Sequence, residues 1–295
     1  MTTIPASHLR QLGVTMVEMI VVIVITGIIG GVVALFIRLP VQNYTESVAR
    51  AAATDLADSS LRRMARDLRL ALPNSVRVAA APPPKTHYIE FLQTTAGLRY
   101  LAEDDVVGTD APGNYLNWND AIKTKFDVVG GVPIGRHAPA VKHFIVVYNL
   151  GEGQEPGNAY DCRTRCNRAE ISAISPTTIT LAANPFPGQK IDGTALMSPS
   201  KRAHVVTSAV SYGCDITRGT LTRYWGYTIT PDQETPPTTG SSALVAENVK
   251  ACNFRYTNLV NQRSGLIGLS LVLGIRGQPL ANIELEHQVH VDNTP

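Results

Sequence analysis

Charge is scarce in this chain, and it nearly cancels. Only 17% of the 295 residues are Asp, Glu, Lys or Arg, and 26 basic against 24 acidic residues leave a formal +2. That excludes a polyelectrolyte and argues against a nucleic-acid binder, which concentrates more positive charge. With 44% apolar residues the chain is too hydrophobic for bulk disorder. Cysteine is rare as well. Four are too few for a disulfide scaffold, yet enough for two bridges in an oxidising compartment. Catalytic motifs are missing: there is no G-x-S-x-G elbow, no H-E-x-x-H and no P-loop, and GGVPIG at 130–135 lacks dinucleotide spacing. No repeat is visible. These absences describe a chain expected to be no enzyme and to need no cofactor.

What the chain has in excess is a hydrophobic run. Val14 to Ile37 reads VTMVEMIVVIVITGIIGGVVALFI, 24 residues whose only charge is Glu18. At about 1.5 Å per helical residue it reaches roughly 36 Å, enough to cross a hydrocarbon core of about 30 Å with some tilt. A short polar leader with Arg10 precedes it and Arg38 closes it, so the flanking charges barely favour either orientation. Glu18 is the odd residue. An acid in a membrane helix costs about 2.5–3.5 kcal/mol near the middle and less near the interface, so its presence implies a partner or a function. Cutting the chain after Gly13 would create a partner, because the amine of Val14 would lie one helical turn away, or on an adjacent helix. The rival is an ordinary secretory signal cut after Ala34, which would release a soluble periplasmic binding protein or hydrolase. A discarded signal has no use for Glu18, and its apolar core would be longer than usual.

Gly13, Val14, Thr15, Met16, Val17 and Glu18, with the apolar run behind them, resemble the class III signal of type IV prepilins and type II secretion pseudopilins. The resemblance implies that prepilin peptidase cuts between Gly13 and Val14, that the Val14 amine is N-methylated, and that Glu18 guides docking. It makes 1–13 a cytoplasmic leader and 14–37 a transmembrane and assembly helix of the inner membrane. Everything after Arg38 would then face the periplasm.

Beyond the membrane, Tyr44, Val48, Leu56, Leu61, Met64, Leu68 and Leu72 recur at helical spacing, which predicts an amphipathic continuation over 38–72, ended by Pro73. Gly30, Gly31 and Pro40 offer a place for a discontinuity. Arg62, Arg63, Arg66 and Arg69 form a basic stripe that reads as a solvated face. After Pro82–Pro84 the pattern turns extended, with β-branched or aromatic runs at 87–93, 143–150, 178–183, 221–230, 266–275 and 282–291. They predict one antiparallel sheet in a β-rich domain over 73–295, with loops at 104–120, 151–168 and 231–242. The fold class is α+β.

The later segments SYGCDITRGTLTRYWGYTI, LVAENVKACNFRYTN, GLIGLSLVLGI and HQVHVDNTP, with LADSSLRRMARDLRLALPNSVRV after the apolar run, resemble minor pilins of MSHA-type pilus biogenesis systems. Wider relatives are the J-type minor pseudopilins, which makes a type II secretion subunit the alternative. The likeness implies a type IV pilin-like fold and a low-copy subunit of a tip or initiation complex. Its partners would be other minor and major pilins and the inner-membrane assembly platform.

Four cysteines allow three pairings. Cys162 with Cys166 and Cys214 with Cys252 are preferred, because each pair shares a segment type, turn with turn and strand region with strand region. A zinc site is the competing use, but close CxxxC spacing occurs once. His287 and His290, three apart in a strand, point to opposite faces and cannot share one ion without a bulge, so no metal site is assigned.

Overall fold

The structure is a computed structural model that describes residues 13–81, 86–106, 113–191, 193–257 and 264–295. The leader before Gly13, Pro82–Pro84 and part of the 104–120 loop lie outside the described residues. The chain is α+β, with one long apolar amino-terminal helix and antiparallel sheets. It divides into two compact units, Met1–Ala51 and Ala52–Pro295.

Helix α1 spans Met16–Leu68 and is helical through Gly30, Gly31 and Pro40, so the anticipated discontinuity is not there. Proline removes one backbone hydrogen bond, and this helix is long enough to absorb the loss. Its end falls short of Leu72. The Leu72 N–H donates to Leu92 O (2.7 Å), Thr94 N–H donates to Leu70 O (2.8 Å), and Ala71 bridges Gln93, so β pairing claims these residues. Tyr44 and Val48 are exposed, and the buried stripe begins later, at Ala57, Leu61, Met64, Ala65 and Leu68. Arg62, Arg63, Arg66 and Arg69 stay exposed on the other side.

Among the described residues, fourteen strands follow. They are β1 (Arg77–Ala81), β2 (Thr86–Arg99), β3 (Lys125–Asp127), β4 (Phe144–Val147), β5 (Arg168–Ile174), β6 (Thr178–Leu181) and β7 (Lys190–Ile191). The rest are β8 (Thr194–Ala195), β9 (Arg202–Asp215), β10 (Thr220–Tyr227), β11 (Ser241–Glu247), β12 (Val249–Thr257), β13 (Ser264–Ile275) and β14 (Gln278–Asp292). They make three sheets rather than the single one anticipated. A nine-stranded sheet runs β1-β2-β9-β4-β5-β6-β3 with β10 and β11 branching from β9, a second runs β12-β13-β14, and β7-β8 is a small ribbon. The hub is β9, which pairs with β2, β4 and β10. It is buried on both faces over much of its length, so it carries no alternation to betray it. Where β10 leaves its register on β9, Gly226 (φ 73°) sits between Trp225 and Tyr227 in a conformation that favours glycine.

One core joins the buried stripe of α1 to Ile89 and Phe91 of β2, Tyr212 of β9 and Ile267, Leu269 and Leu271 of β13. A second gathers Trp118, Phe126, Ile145, Ile171 and Phe186. At about 1.5–3 kcal/mol for each large apolar side chain fully buried, these two clusters supply the main force that holds the sheets.

Candidate functional site at the amino-terminal helix

The start of α1 is built by two side chains. The Glu18 N–H donates to Thr15 Oγ1 (3.3 Å), and the Thr15 N–H donates to Glu18 Oε2 (3.4 Å). This reciprocal capping box uses the spacing T-x-x-E to satisfy two of the free amides at a helix start. It also places a carboxylate where the helix dipole favours negative charge. The sequence reading of Glu18 missed this role, although Thr15 three residues before it is the legible signal.

Gly13, Val14 and Thr15 lie outside the helix, and Gly13 and Val14 are exposed, Val14 at 65%. Beyond them, the apolar side chains from Met16 to Ile37 are uncovered. Among the described residues, Met16–Leu68 is the one helix long and apolar enough to cross a membrane, and no residue of its most apolar stretch is buried within the chain. Its backbone bonds close internally, and the one hydroxyl in the run, beyond the cap, is satisfied too: Thr26 Oγ1 donates to the Val22 and Ile23 carbonyls. Such a surface suits lipid or another helix. It does not suit water.

The remaining predicted residues lie in the second unit. Cys162 is bonded to Cys166, and Cys214 to Cys252. The second bond ties β9 to β12 and so links the two larger sheets inside the core. On β14, His290 is exposed with Glu284, Glu286 and Asp292, whereas His287 lies on the other, half-covered face.

Two further clusters have no linear signature. Arg77 of β1 and Glu90 of β2 form a buried ion pair, Nη2 to Oε1 at 2.9 Å, with side chains 9% and 1% exposed. Arg77 also donates to the carbonyls of Pro231 (2.5 Å) and Thr230 (3.1 Å), and its guanidinium lies 3.7 Å over the Tyr160 ring. Burial pushes the Glu90 carboxyl up to about 7 against the pull of Arg77, and it pushes the Tyr160 and Tyr227 hydroxyls well above their ordinary range. The second cluster is a cleft of about 700 Å³ bordered by Tyr100, Trp118, Gln189 and Lys201. There Lys201 Nζ bridges Asp104 and Asp105, each at 2.7 Å, and its hydrogen bond holds the Asp105 carboxyl down at about 2. Both clusters assemble residues from distant segments.

Comparison with protein families, with curated proteins and with solved structures finds no match to this chain.

Proposed function

We propose that the chain is a non-enzymatic structural subunit of the type IV pilin class, a minor pilin of an MSHA-like pilus that is stored in the inner membrane before assembly. The observation that carries this reading is the helix start: an exposed Gly13–Val14 bond stands outside α1, and the carboxylate of Glu18 is turned back onto the amide one residue further on, the Thr15 N–H. Cutting there leaves the Val14 amine beside Thr15, whose own N–H lies 3.4 Å from Glu18 Oε2. The new cation can therefore be met by Glu18 of the same helix or of a neighbouring subunit. Either pairing offsets the cost of an acid in a low-dielectric place.

Assembly is then an exchange of surroundings. The apolar side chains from Val14 to Ile37 leave lipid for packing against like helices, a step driven by van der Waals contact and steered by the one charge pair. The two disulfides support a periplasmic location for the second unit, since such bonds persist in oxidising compartments. In this reading the chain meets prepilin peptidase first, then the assembly platform and other pilins.

The test is Glu18→Ala. Cleavage after Gly13 should be retained, while the fraction of the subunit recovered in sheared fibres rather than in membranes falls. If the variant enters fibres as well as the parent does, the docking role of Glu18 is wrong.

A further inference from the structure

Strand β14 is fifteen residues long and is bonded along one edge only. Along that edge β13 pairs with it from Ser264↔Asp292 to Gly274↔Asn282 without a register break, and among the described residues no strand bonds the other edge. At about 3.4 Å per residue, that leaves roughly 50 Å of strand with its outward N–H and C=O groups unclaimed by a sheet partner. Proteins commonly blunt such an edge with proline, a bulge or a cover. Here Pro279 stands at the very start, and the single irregularity lies beyond Gly274.

The two faces of β14 differ. Val289 and Val291 are buried in the core, but Ala281, Ile283, Leu285 and His287 on the same face are only half covered, so the apolar layer stops short of the edge. The other face is exposed and acidic, with Glu284, Glu286 and Asp292. The charged and titratable groups around it include Lys250 of β12, whose side chain lies over Gly274 opposite Asn282, and His204 of β9, which interacts with Asp292. Ser270 of β13 donates to Glu284 Oε1 (3.3 Å), His290 shares the face, and Arg276 stands at the β13–β14 turn. Arg255 of β12 lies two strands away, opposite Gly268, which is itself opposite Gln288.

The geometry points to β14 as a docking edge for an extended segment of another protein, one that alternates Lys or Arg with β-branched apolar residues. Backbone bonds to the free edge would supply affinity. The apolar residues would complete the cover over Ile283 and Leu285, and the basic ones would stand opposite Glu284 and Glu286. A second copy of this chain fits poorly in the registers that would overlap the two acidic stretches most closely. Antiparallel self-pairing centred on Leu285 sets Glu284 against Glu286 twice, and centring on either acid sets it against itself; like charges directly opposite are destabilising. This surface is independent of α1, and so its failure would leave the pilin reading untouched.

The test uses the full chain in detergent micelles with two end-blocked twelve-residue peptides, one alternating Lys with Val and Thr, the other carrying Glu in place of every Lys. Amide hydrogen exchange and fluorescence anisotropy are read together. The Lys peptide should bind and protect amides of β14 that exchange rapidly in the free chain, and the Glu peptide should bind roughly tenfold more weakly. The double variant Glu284→Lys with Glu286→Lys, at two exposed positions, should reverse that preference. Should its unfolding midpoint by tryptophan fluorescence differ from the parent's, Glu284→Gln with Glu286→Gln should abolish the preference instead. Equal affinity for both peptides, protection elsewhere than β14, outward amides of β14 already protected in the free chain, or protection rising with protein concentration alone would each overturn the proposal.

Discussion

Replacing Glu90 with Gln should make this protein more stable at pH 8, although it removes one partner of a buried ion pair. The carboxyl is 1% exposed, and burial lifts it from an ordinary 4.5 to about 7 even with Arg77 at 2.9 Å. That displacement corresponds to about 3 kcal/mol. Between those two pH values the folded chain holds a proton that the unfolded chain has released. The contribution of Glu90 is therefore fully present below pH 4.5 and is lost as pH rises through 7. Glutamine resembles the protonated carboxyl in shape and never ionises. Parent and variant should match below about pH 4.5 and differ by about 1 kcal/mol at pH 5, and the variant should exceed the parent by about 3 kcal/mol at pH 8. Arg77 keeps its bonds to Thr230 and Pro231 and its place over Tyr160, so the variant folds. His143 and His204, whose titration burial lowers, push the other way with pH, but they are common to both proteins and cancel in the difference. The assay is urea unfolding of the full chain in detergent at pH 5, 6, 7 and 8, followed by Trp118 and Trp225 fluorescence. A variant weaker than the parent at pH 8, or a difference that does not change with pH, would refute the claim that desolvation outweighs the ion pair.

Three contrasts extend the account. Removing Cys214 and Cys252 together opens the larger covalent loop and should cost about 4 kcal/mol, against about 2 kcal/mol for Cys162 with Cys166, read as urea midpoints of the double-alanine variants; equal losses would contradict the ranking. Asp67→Ala should cost about 2–4 kcal/mol, because Asp67 Oδ2 accepts from both Arg223 Nε and Tyr212 OH at 2.7 Å, and the guanidinium left behind is mostly buried. Asp58→Ala, which breaks the exposed 2.7 Å pair with Arg62, should change stability by less than about 1 kcal/mol in the same titration, and a loss matching that of Asp67→Ala would sink the burial argument.

What the sequence reveals here follows from periodicity. The apolar run announces α1, and alternation makes 266–275 and 282–291 legible as strands, because each has one dry and one wet face. Where both faces are dry the signal disappears, which is why β9, the hub of the largest sheet, escapes a reading by alternation. The end of α1 is overestimated for a related reason. Leu72 continues the helical spacing and is buried, but it is buried beside β2, to which its amide is bonded. Division into separate sheets is set by pairings such as Gly268 with Arg255 and with Gln288, which no local pattern encodes. The Arg77–Glu90 pair joins neighbouring strands, but its burial depends on Tyr160 and the Thr230–Pro231 backbone, far along the chain. At the candidate site, Glu18 stands out as a lone acid in an apolar run. Its capping partner Thr15 is equally legible in the T-x-x-E spacing, a signal carried by a hydroxyl rather than by a charge.

The central claim concerns one covalent bond and is best tested on the polypeptide recovered from its own cells. Amino-terminal sequencing with intact-mass measurement should find a chain that begins at Val14 and carries one added methyl group. A chain that begins at Leu35, or one that keeps its first thirteen residues where prepilin peptidase is active, would contradict it.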